Sequence, residues 1–182
     1  SWLGMDLIDE QNENFYGRPG GMAPRYSNFI VQNSDFLLTV GARLDLGMVA
    51  YDYKNFAREA KKFIVDVDIN EINKLGFEIE QKIEHDAAEF LEKLVAISSV
   101  DDVGSEKDEW LRYCRKAKAK YPLFKSPKNK SDHQISMYQF SDHLSALMEN
   151  TDIIASCSSG FAAEIFLLMY RHKQGQRIFH NR

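Results

Sequence analysis

The chain has 182 residues, 44% of them hydrophobic and 27% charged, which is enough for one globular domain and part of another. A net charge of −4 argues against a nucleic-acid-binding surface, and the longest apolar run, near 161–170, is too short to span a bilayer. The first residues lack the basic and apolar regions of a signal peptide. Cys114 and Cys157 lack the spacing of a zinc site or disulfide framework, which favours a reduced, cytoplasmic protein.

The first part of the chain predicts strands alternating with helices after a loop-rich start that extends to residue 34. In chain order, we expect a helix at Ser27–Gln32, a strand at Phe36–Val40 buried on both faces, a helix at Tyr53–Lys62, a strand at Phe63–Asp68, a turn capped by Asn70, a strand at Lys82–His85 and a helix ending at Ile97. Asp86 is expected to cap that last helix. Its inward face is expected to carry Phe90, Leu91, Leu94 and Val95. This alternation predicts a parallel sheet.

A second α/β unit follows a polar break at 98–105, a helix at 107–120 and a linker at 122–133. The pattern there predicts a helix at 136–148 capped by Ser136, a strand at 152–156, a turn at 158–160, a helix at 161–170 and a strand at 177–179. We therefore expect one domain at 1–100, a helix and linker at 101–134, and the start of a second domain at 135–182.

A glycine turn directly after the first strand is the strongest candidate for a ligand site. Gly41, Arg43 and Asp45 stand where an open α/β sheet presents a nucleotide-sized ligand at its carboxyl edge. Arg43 could hold a diphosphate through two hydrogen bonds. The alternative is a plain Arg43–Asp45 ion pair, which the residues alone leave equally open.

Carboxylates follow the next two strands of the predicted sheet. Asp66 and Asp68 end the second strand, and alternation places both on one face with Val67 opposite. A carboxylate there can accept a hydrogen bond from a ribose hydroxyl. Asp86, after the third strand, could touch the same nucleotide or act only as a helix cap. Three polar turns at the ends of parallel strands are expected to converge.

Other candidate motifs are weaker. Gly17–Gly21 precedes the first helix and could approach a phosphate, or it could be an ordinary surface loop. The five histidines lack the helical spacing of a metal site and are interpreted as structural or exposed. Ser158-Ser159-Gly160 does not match the nucleophile elbow of hydrolases.

Several of these segments, taken in order, resemble the central domain of thiamine diphosphate enzymes, and are most similar to acetolactate synthase large subunits. The segments are Gly20-Gly21-Met22 with Asn28, Gln32–Leu38, Gly41–Asp45, Phe56 to Lys61, Val65–Asp68, and Glu71-Ile72 with Lys74. The likeness covers residues 1–97 well, and the chain from Ser136 resembles the opening of the family's diphosphate-binding domain. It implies a truncated Rossmann-like (DHS-type) parallel sheet with flanking helices, plus a partial second α/β domain.

The resemblance also implies site residues, because acetolactate synthases bind FAD in the central domain without using its redox chemistry. The positions that match this FAD site are Ser1 to Leu3, Gly20, Gly21, Met22, Gly41, Arg43, Asp45, Asp66, Val67, Glu71, Asp86 and Ala87. A second arginine found near Gly47 in many synthases is absent, so ADP or an empty site is an alternative. Ser159 and Gly160 match a turn that approaches the thiamine cofactor. The polar Gln-His-Gln that follows in the family is replaced by Phe161-Ala162-Ala163.

The resemblance implies that this chain is a fragment of a lyase or transferase that uses thiamine diphosphate and Mg²⁺ to decarboxylate a 2-oxo acid, with or without transfer of the bound carbanion to an acceptor. Neither the cofactor-activating glutamate domain nor the Gly-Asp-Gly…Asn motif is present. We expect the fragment to be inactive and the parent to be a homodimer or homotetramer without nucleic-acid or membrane partners. The alternatives are a stand-alone FAD or adenine-nucleotide module without catalytic residues, and a structural domain with a degenerate site.

Overall fold

The computed structural model describes residues 3–98, 105–124, 135–156 and 160–180. Helices and strands alternate through most of this range. The elements are α1 (Arg25–Gln32), β1 (Phe36–Val40), β2 (Lys61–Asp66), α2 (Ile69–Asn73), β3 (Gln81–Glu84), α3 (Ala87–Ile97), α4 (Ser105–Lys120), α5 (Met137–Leu147), β4 (Ile153–Ala155), α6 (Gly160–Met169) and β5 (Arg177–Phe179). No helix in this described part is both long and apolar enough to cross a membrane.

The strands form two parallel sheets, which confirms the expected mixed α/β, Rossmann-like architecture. In the first sheet β2 lies between β1 and β3, with Val40 opposite Val65 and Asp66 opposite Glu84. In the second sheet β4 pairs with β5, with Ile154 opposite Ile178. Because parallel strands run in one direction, β1, β2 and β3 all end at the same edge of their sheet.

Each sheet packs one face against its own apolar cluster. The cluster of the first sheet centres on Ile64 of β2, Ile72 of α2 and the loop residue Phe56. The cluster of the second sheet joins Ile154 and Ile178 to residues of α6. The first of these clusters lies on the face of the sheet that α2 covers, so it fixes α2 beside the carboxyl end of β2.

The N-terminal loop packs against the second sheet and forms hydrogen bonds with it. Met5 is 3% exposed and packs in the cluster of Ile154 and Ile178. Asp6 Oδ2 accepts hydrogen bonds from Arg177 Nε at 2.8 Å and from the Ile178 amide at 3.2 Å. These contacts fasten the first described residues to β5.

The helix predicted at Tyr53–Lys62 is wrong. Residues 53–60 form successive turns, and β2 begins at Lys61, two residues earlier than predicted. The amide of Phe56 donates to Tyr53 O and that of Ala60 to Ala57 O, both spacings of three residues, and Ala57 has φ +43°. A left-handed residue interrupts an α-helix, and a segment this short forms one only with tertiary support. Here Phe56, Ala57 and Ala60 are buried in the core of the first sheet, which stabilises the turn conformation.

Two predictions of burial are also wrong. β1 has its predicted bounds, but Phe36 is 55% exposed and the rest of the strand is half-buried, because β1 lies at the edge of the sheet that the described residues form. α3 leaves Leu91 46% exposed and Val95 71% exposed, and no residue of this helix is fully buried. Of the four residues that periodicity assigned to the inward face, Phe90 and Leu94 are half-buried, whereas Leu91 and Val95 stay exposed.

The caps differ in two places. Asp68, rather than Asn70, caps α2 by accepting from the Asn70 amide at 2.8 Å. Ser136 precedes α5 but makes no side-chain cap bond. The other helices and strands lie within about two residues of their predicted bounds, as is usual for element ends. Most of the expected linker at 122–133 lies outside the described residues, so the domain boundary stays a prediction.

Lys62 of β2 is a buried charge on the core face of the first sheet. Its side chain points to the same face as Ile64, and the residue is 4% exposed. Nζ donates to Ala60 O at 3.0 Å and lies 5.5 Å from the centre of the Phe77 ring. Burial lowers the pKa of this ammonium from its usual value, against the opposing charges of Glu78 and Glu59.

We predict that Lys62→Met leaves the free energy of unfolding unchanged or raises it by up to about 2 kcal/mol, because methionine fills the site without a buried charge. A group whose pKa is lowered by folding gives up its proton first in the folded state, so wild-type stability should rise as pH approaches about 10. Lys62→Met should abolish that rise in urea denaturation. A variant clearly less stable than wild type at pH 7 would show that the ammonium is needed.

We predict that Asp6→Asn lowers the free energy of unfolding at pH 7 by about 1 kcal/mol. Solvent screens the exposed ion pair with Arg177, so most of this loss comes from the hydrogen bond to the Ile178 amide, which is less exposed. Burial alone would raise the pKa of Asp6, but the bonds from Arg177 and Ile178 hold it below the usual value. The stabilisation is therefore present above about pH 4 and disappears as pH falls through the lowered pKa. Urea denaturation at pH 7 and at pH 3 should show that the difference in unfolding free energy between wild type and Asp6→Asn is smaller at pH 3. Asp35→Asn, an exposed aspartate ahead of β1, is the control and should have little effect.

Candidate functional site

The ends of β1, β2 and β3 form one continuous edge. The Gly41 amide, just after β1, donates to Val65 O of β2 at 2.9 Å. The His85 amide, just after β3, donates to Asp66 O at 3.0 Å. Backbone hydrogen bonds thus join the three strand ends, and they place Gly41 and His85 on either side of the end of β2. The convergence expected from the sequence is present.

Gly41 and Ala87 bring the first and third loops into contact. Gly41 has φ +57°, a conformation that favours glycine, and a Cβ built on it would lie 3.5 Å from the Ala87 Cβ. The loop after β1 therefore meets the start of α3 across the end of β2. Gly41 is exposed, so its backbone is accessible to a ligand at this edge.

Arg43 makes an ion pair, but with Glu71 rather than with Asp45. Its Nε lies 2.9 Å from Glu71 Oε2, and Lys74 Nζ binds the same oxygen. Asp45 Oδ1 instead accepts from the Met48 amide at 2.9 Å, so the Arg43–Asp45 alternative is wrong. The Arg43 side chain is 67% exposed. The cations of Lys74 and Arg43 hold the pKa of the Glu71 carboxyl below its usual value.

The carboxylates after β2 and β3 also organise the backbone. Asp66 Oδ1 accepts from the Asp68 amide at 3.0 Å, and Val67 between them is 71% exposed. Asp86 accepts from the Ala88 and Glu89 amides at 2.8 and 3.1 Å, which confirms its role as the cap of α3. Its carboxylate thus already occupies the helix amides that a phosphate would otherwise bind.

The glycines before α1 lie against the turn that follows Asp45. The Gly21 amide donates to Gly47 O at 2.9 Å. A Cβ on Gly20 would come within 2.9 Å of the same oxygen, so this approach requires glycine. Asn28 fixes Gly20 from the other side, accepting from its amide and donating to its carbonyl, both at 2.9 Å. Gly20 and Gly21 are thereby joined to the loop that carries Arg43.

Met22 and Arg18 belong to a different region. Met22 lines a small cavity of about 20 Å³ between the N-terminal loop and α6. Arg18 lies beside it and pairs with Glu10 at 2.6 Å while donating to Leu167 O at 3.2 Å. Burial raises the pKa of Glu10, although Arg18 opposes this. Arg18 of the Gly17–Gly21 segment therefore ties the loop to α6.

The remaining predicted positions divide between described and undescribed residues. Ser1 and Ser159 lie outside the described residues, Leu3 is 69% exposed, and Gly160 begins α6 with φ +73°. The described residues contain no cluster of three or more His, Cys, Asp or Glu side chains that could hold a metal ion.

Sequence reasoning gave no role to Asn28, Gly47 or Lys74. Lys74 could have been found from its spacing of three from Glu71. No local pattern pairs Gly20 with Asn28 or Gly47, since both contacts depend on how the loops fold back.

Comparison with known proteins agrees with this architecture. Residues 1–94 match the family model described as thiamine pyrophosphate enzyme, central domain. The chain is also 31% identical over 121 residues to the acetolactate synthase large subunit of Corynebacterium glutamicum, an alignment covering 66% of this chain and 19% of that protein. The chain thus spans about a fifth of the relative's length. Since the family match covers more than half of its residues, this chain belongs to the thiamine pyrophosphate enzymes and contains their central domain.

Proposed function

We propose that the chain is part of a thiamine-diphosphate-dependent decarboxylase or carboligase that acts on a small 2-oxo acid. The family match and the likeness to an acetolactate synthase large subunit support this assignment. Thiamine diphosphate supplies the electron sink for such reactions when it is bound, with Mg²⁺ as its partner ion. The described residues contain no cluster of three or more His, Cys, Asp or Glu side chains that could hold Mg²⁺, and the sequence lacks the Gly-Asp-Gly…Asn motif of the family, so we assign the chemistry to other parts of the parent. A homodimer or homotetramer is proposed for that parent.

The role proposed for this chain is to hold FAD or ADP at the edge formed by β1, β2 and β3. The observation that carries the proposal is the junction of Gly41, Asp66 and Ala87 beside an exposed arginine. Gly41 lets the backbone approach a ligand closely, Arg43 supplies the charge for a diphosphate, and the carboxylates accept ribose hydroxyls. The other proposed contacts are Gly20, Gly21, Asp45, Val67, Glu71 and Asp86, with Ser159 and Gly160 proposed for the thiamine cofactor.

A non-catalytic FAD or adenine-nucleotide module is the second candidate. It is favoured by the polar residues that follow β1, β2 and β3 at one edge, whereas the described residues contain no cluster that could hold a metal ion. Both candidates need the same nucleotide site, and they differ in whether a cofactor-activating glutamate domain is encoded upstream. Reading the adjoining coding sequence separates them.

We predict that ADP and FAD bind the purified chain. Arg43→Met should weaken the binding of ADP by about tenfold or more, because a charge-assisted contact to the diphosphate is lost. Calorimetric titration measures ADP affinity, and a flavin absorbance band retained after gel filtration reports FAD. Arg58→Met is the matched control, since Arg58 is similarly exposed (63%) and also pairs with a neighbouring glutamate. If neither ligand binds, the nucleotide site is degenerate.

We predict that the chain alone does not turn over pyruvate when thiamine diphosphate and Mg²⁺ are added, because its sequence contains neither the cofactor-activating glutamate domain nor the Gly-Asp-Gly…Asn motif. Carbon dioxide release and pyruvate consumption are the measurements. A full-length relative assayed in parallel shows that the conditions support turnover. Sustained release of carbon dioxide by the chain would contradict the assignment of the chemistry to other parts of the parent.

A further inference from the structure

Exposed cations cover the solvent side of α4. Arg112, Lys116 and Lys120 follow one another at spacings of four residues, so they lie on one face of this helix. Cys114 and Ala117 are buried on its other side, and α4 packs against α1. The charged face of α4 is therefore directed away from the rest of the described chain.

A cation of α1 lies beside the end of this face. The guanidinium of Arg25 and Nζ of Lys120 both lie over the Tyr121 ring, 5.1 and 5.3 Å from its centre. We define the basic face by its six exposed cations, which are Arg25, Arg112, Arg115, Lys116, Lys118 and Lys120.

The basic face has no acidic partner within the described part of the chain. The ion pairs of the described residues all involve other side chains. Lys118 Nζ donates to a carbonyl, Phe15 O, at 3.0 Å. The helix dipole stabilises lysines in the last turn, but Arg112 and Arg115 precede that turn. Like charges three or four residues apart destabilise a helix, so this face gains from an external anion.

The spacing of the cations matches an extended acidic segment. A helix rises about 1.5 Å per residue, so Arg112, Lys116 and Lys120 are about 6 Å apart along α4. Side chains at alternate positions of an extended chain are about 7 Å apart on one face. Carboxylates at alternate positions can therefore meet these three cations together, which matters because each exposed ion pair is weak by itself.

The charge of the remaining chain favours a short partner segment over nucleic acid. The net charge is −4, so the chain outside the six cations of the basic face carries −10. Nucleic acid carries phosphates well beyond the roughly 12 Å between Arg112 and Lys120, and these would meet the acidic remainder. An acidic segment of about five extended residues ends within that length.

We propose that the basic face binds a short, extended acidic segment of a partner protein. Asp or Glu side chains at alternate positions of that segment pair with Arg112, Lys116 and Lys120, and the arginine can bind its carboxylate through two hydrogen bonds. This inference does not depend on the nucleotide site proposed above.

The test is the fluorescence anisotropy of a labelled peptide of alternating Glu and Thr, about ten residues long, titrated with the 182-residue chain. A peptide of alternating Gln and Thr is the uncharged control and should not bind. The double variant Arg112→Gln/Lys116→Gln should bind the acidic peptide about five- to tenfold more weakly, because two ion pairs are lost. The matched control is Lys54→Gln/Arg58→Gln, which removes the same two charges from exposed residues at the same spacing.

Three results would overturn the proposal. The first is failure of the acidic peptide to bind, or equal binding of the uncharged peptide. The second is equal weakening by both double variants, which shows a general charge effect rather than a site on α4. The third is tighter binding of a single-stranded oligonucleotide with the same number of charges, which assigns the face to nucleic acid. Circular dichroism establishes that both variants fold, as expected because glutamine is a good helix former.

Discussion

The candidate site depends on the parallel pairing of β2 with β1 on one side and β3 on the other. Ile64 and Val65 are almost fully buried in this strand and hold its position. Because all three strands run in one direction, the loops that follow them emerge at one edge and reach one another over the end of β2. A different pairing order would separate Gly41 from Asp66, and the same residues would then form no site.

Most of the charged side chains around this edge make contacts within the protein that stabilise its helices and turns. Asp86 caps α3, Asp68 caps α2, Asp45 holds a turn, and Glu71 binds both Arg43 and Lys74. A ligand diphosphate would compete with Glu71 for Arg43. The free energy needed to break the Arg43–Glu71 ion pair would therefore reduce the affinity for that ligand. The Arg43 side chain of this pair is largely exposed to solvent, which weakens the pair and keeps that free-energy cost small.

Sequence reasoning succeeded where a residue's role is local. Asp86 was predicted to cap α3 because the cap lies next to the amides it binds, and β1 and β5 have the bounds that their sequences predicted. It failed where burial depends on neighbours distant in sequence. Periodicity predicted an inward face on α3, of which Leu91 and Val95 stay exposed, and a helix at Tyr53–Lys62 that the core replaces with turns around Phe56 and Ala57.

The sequence by itself determined the family, the parallel α/β class and the polar residues at the strand ends, because each is written in short motifs and turn chemistry. Only the tertiary structure decided that Arg43 pairs with Glu71 rather than Asp45, that Gly20 needs its glycine because Gly47 O lies against it, and that Met22 points to another cavity. The physical reason is distance along the chain. Contacts across more than about one helical turn depend on how elements pack, which local propensity does not encode.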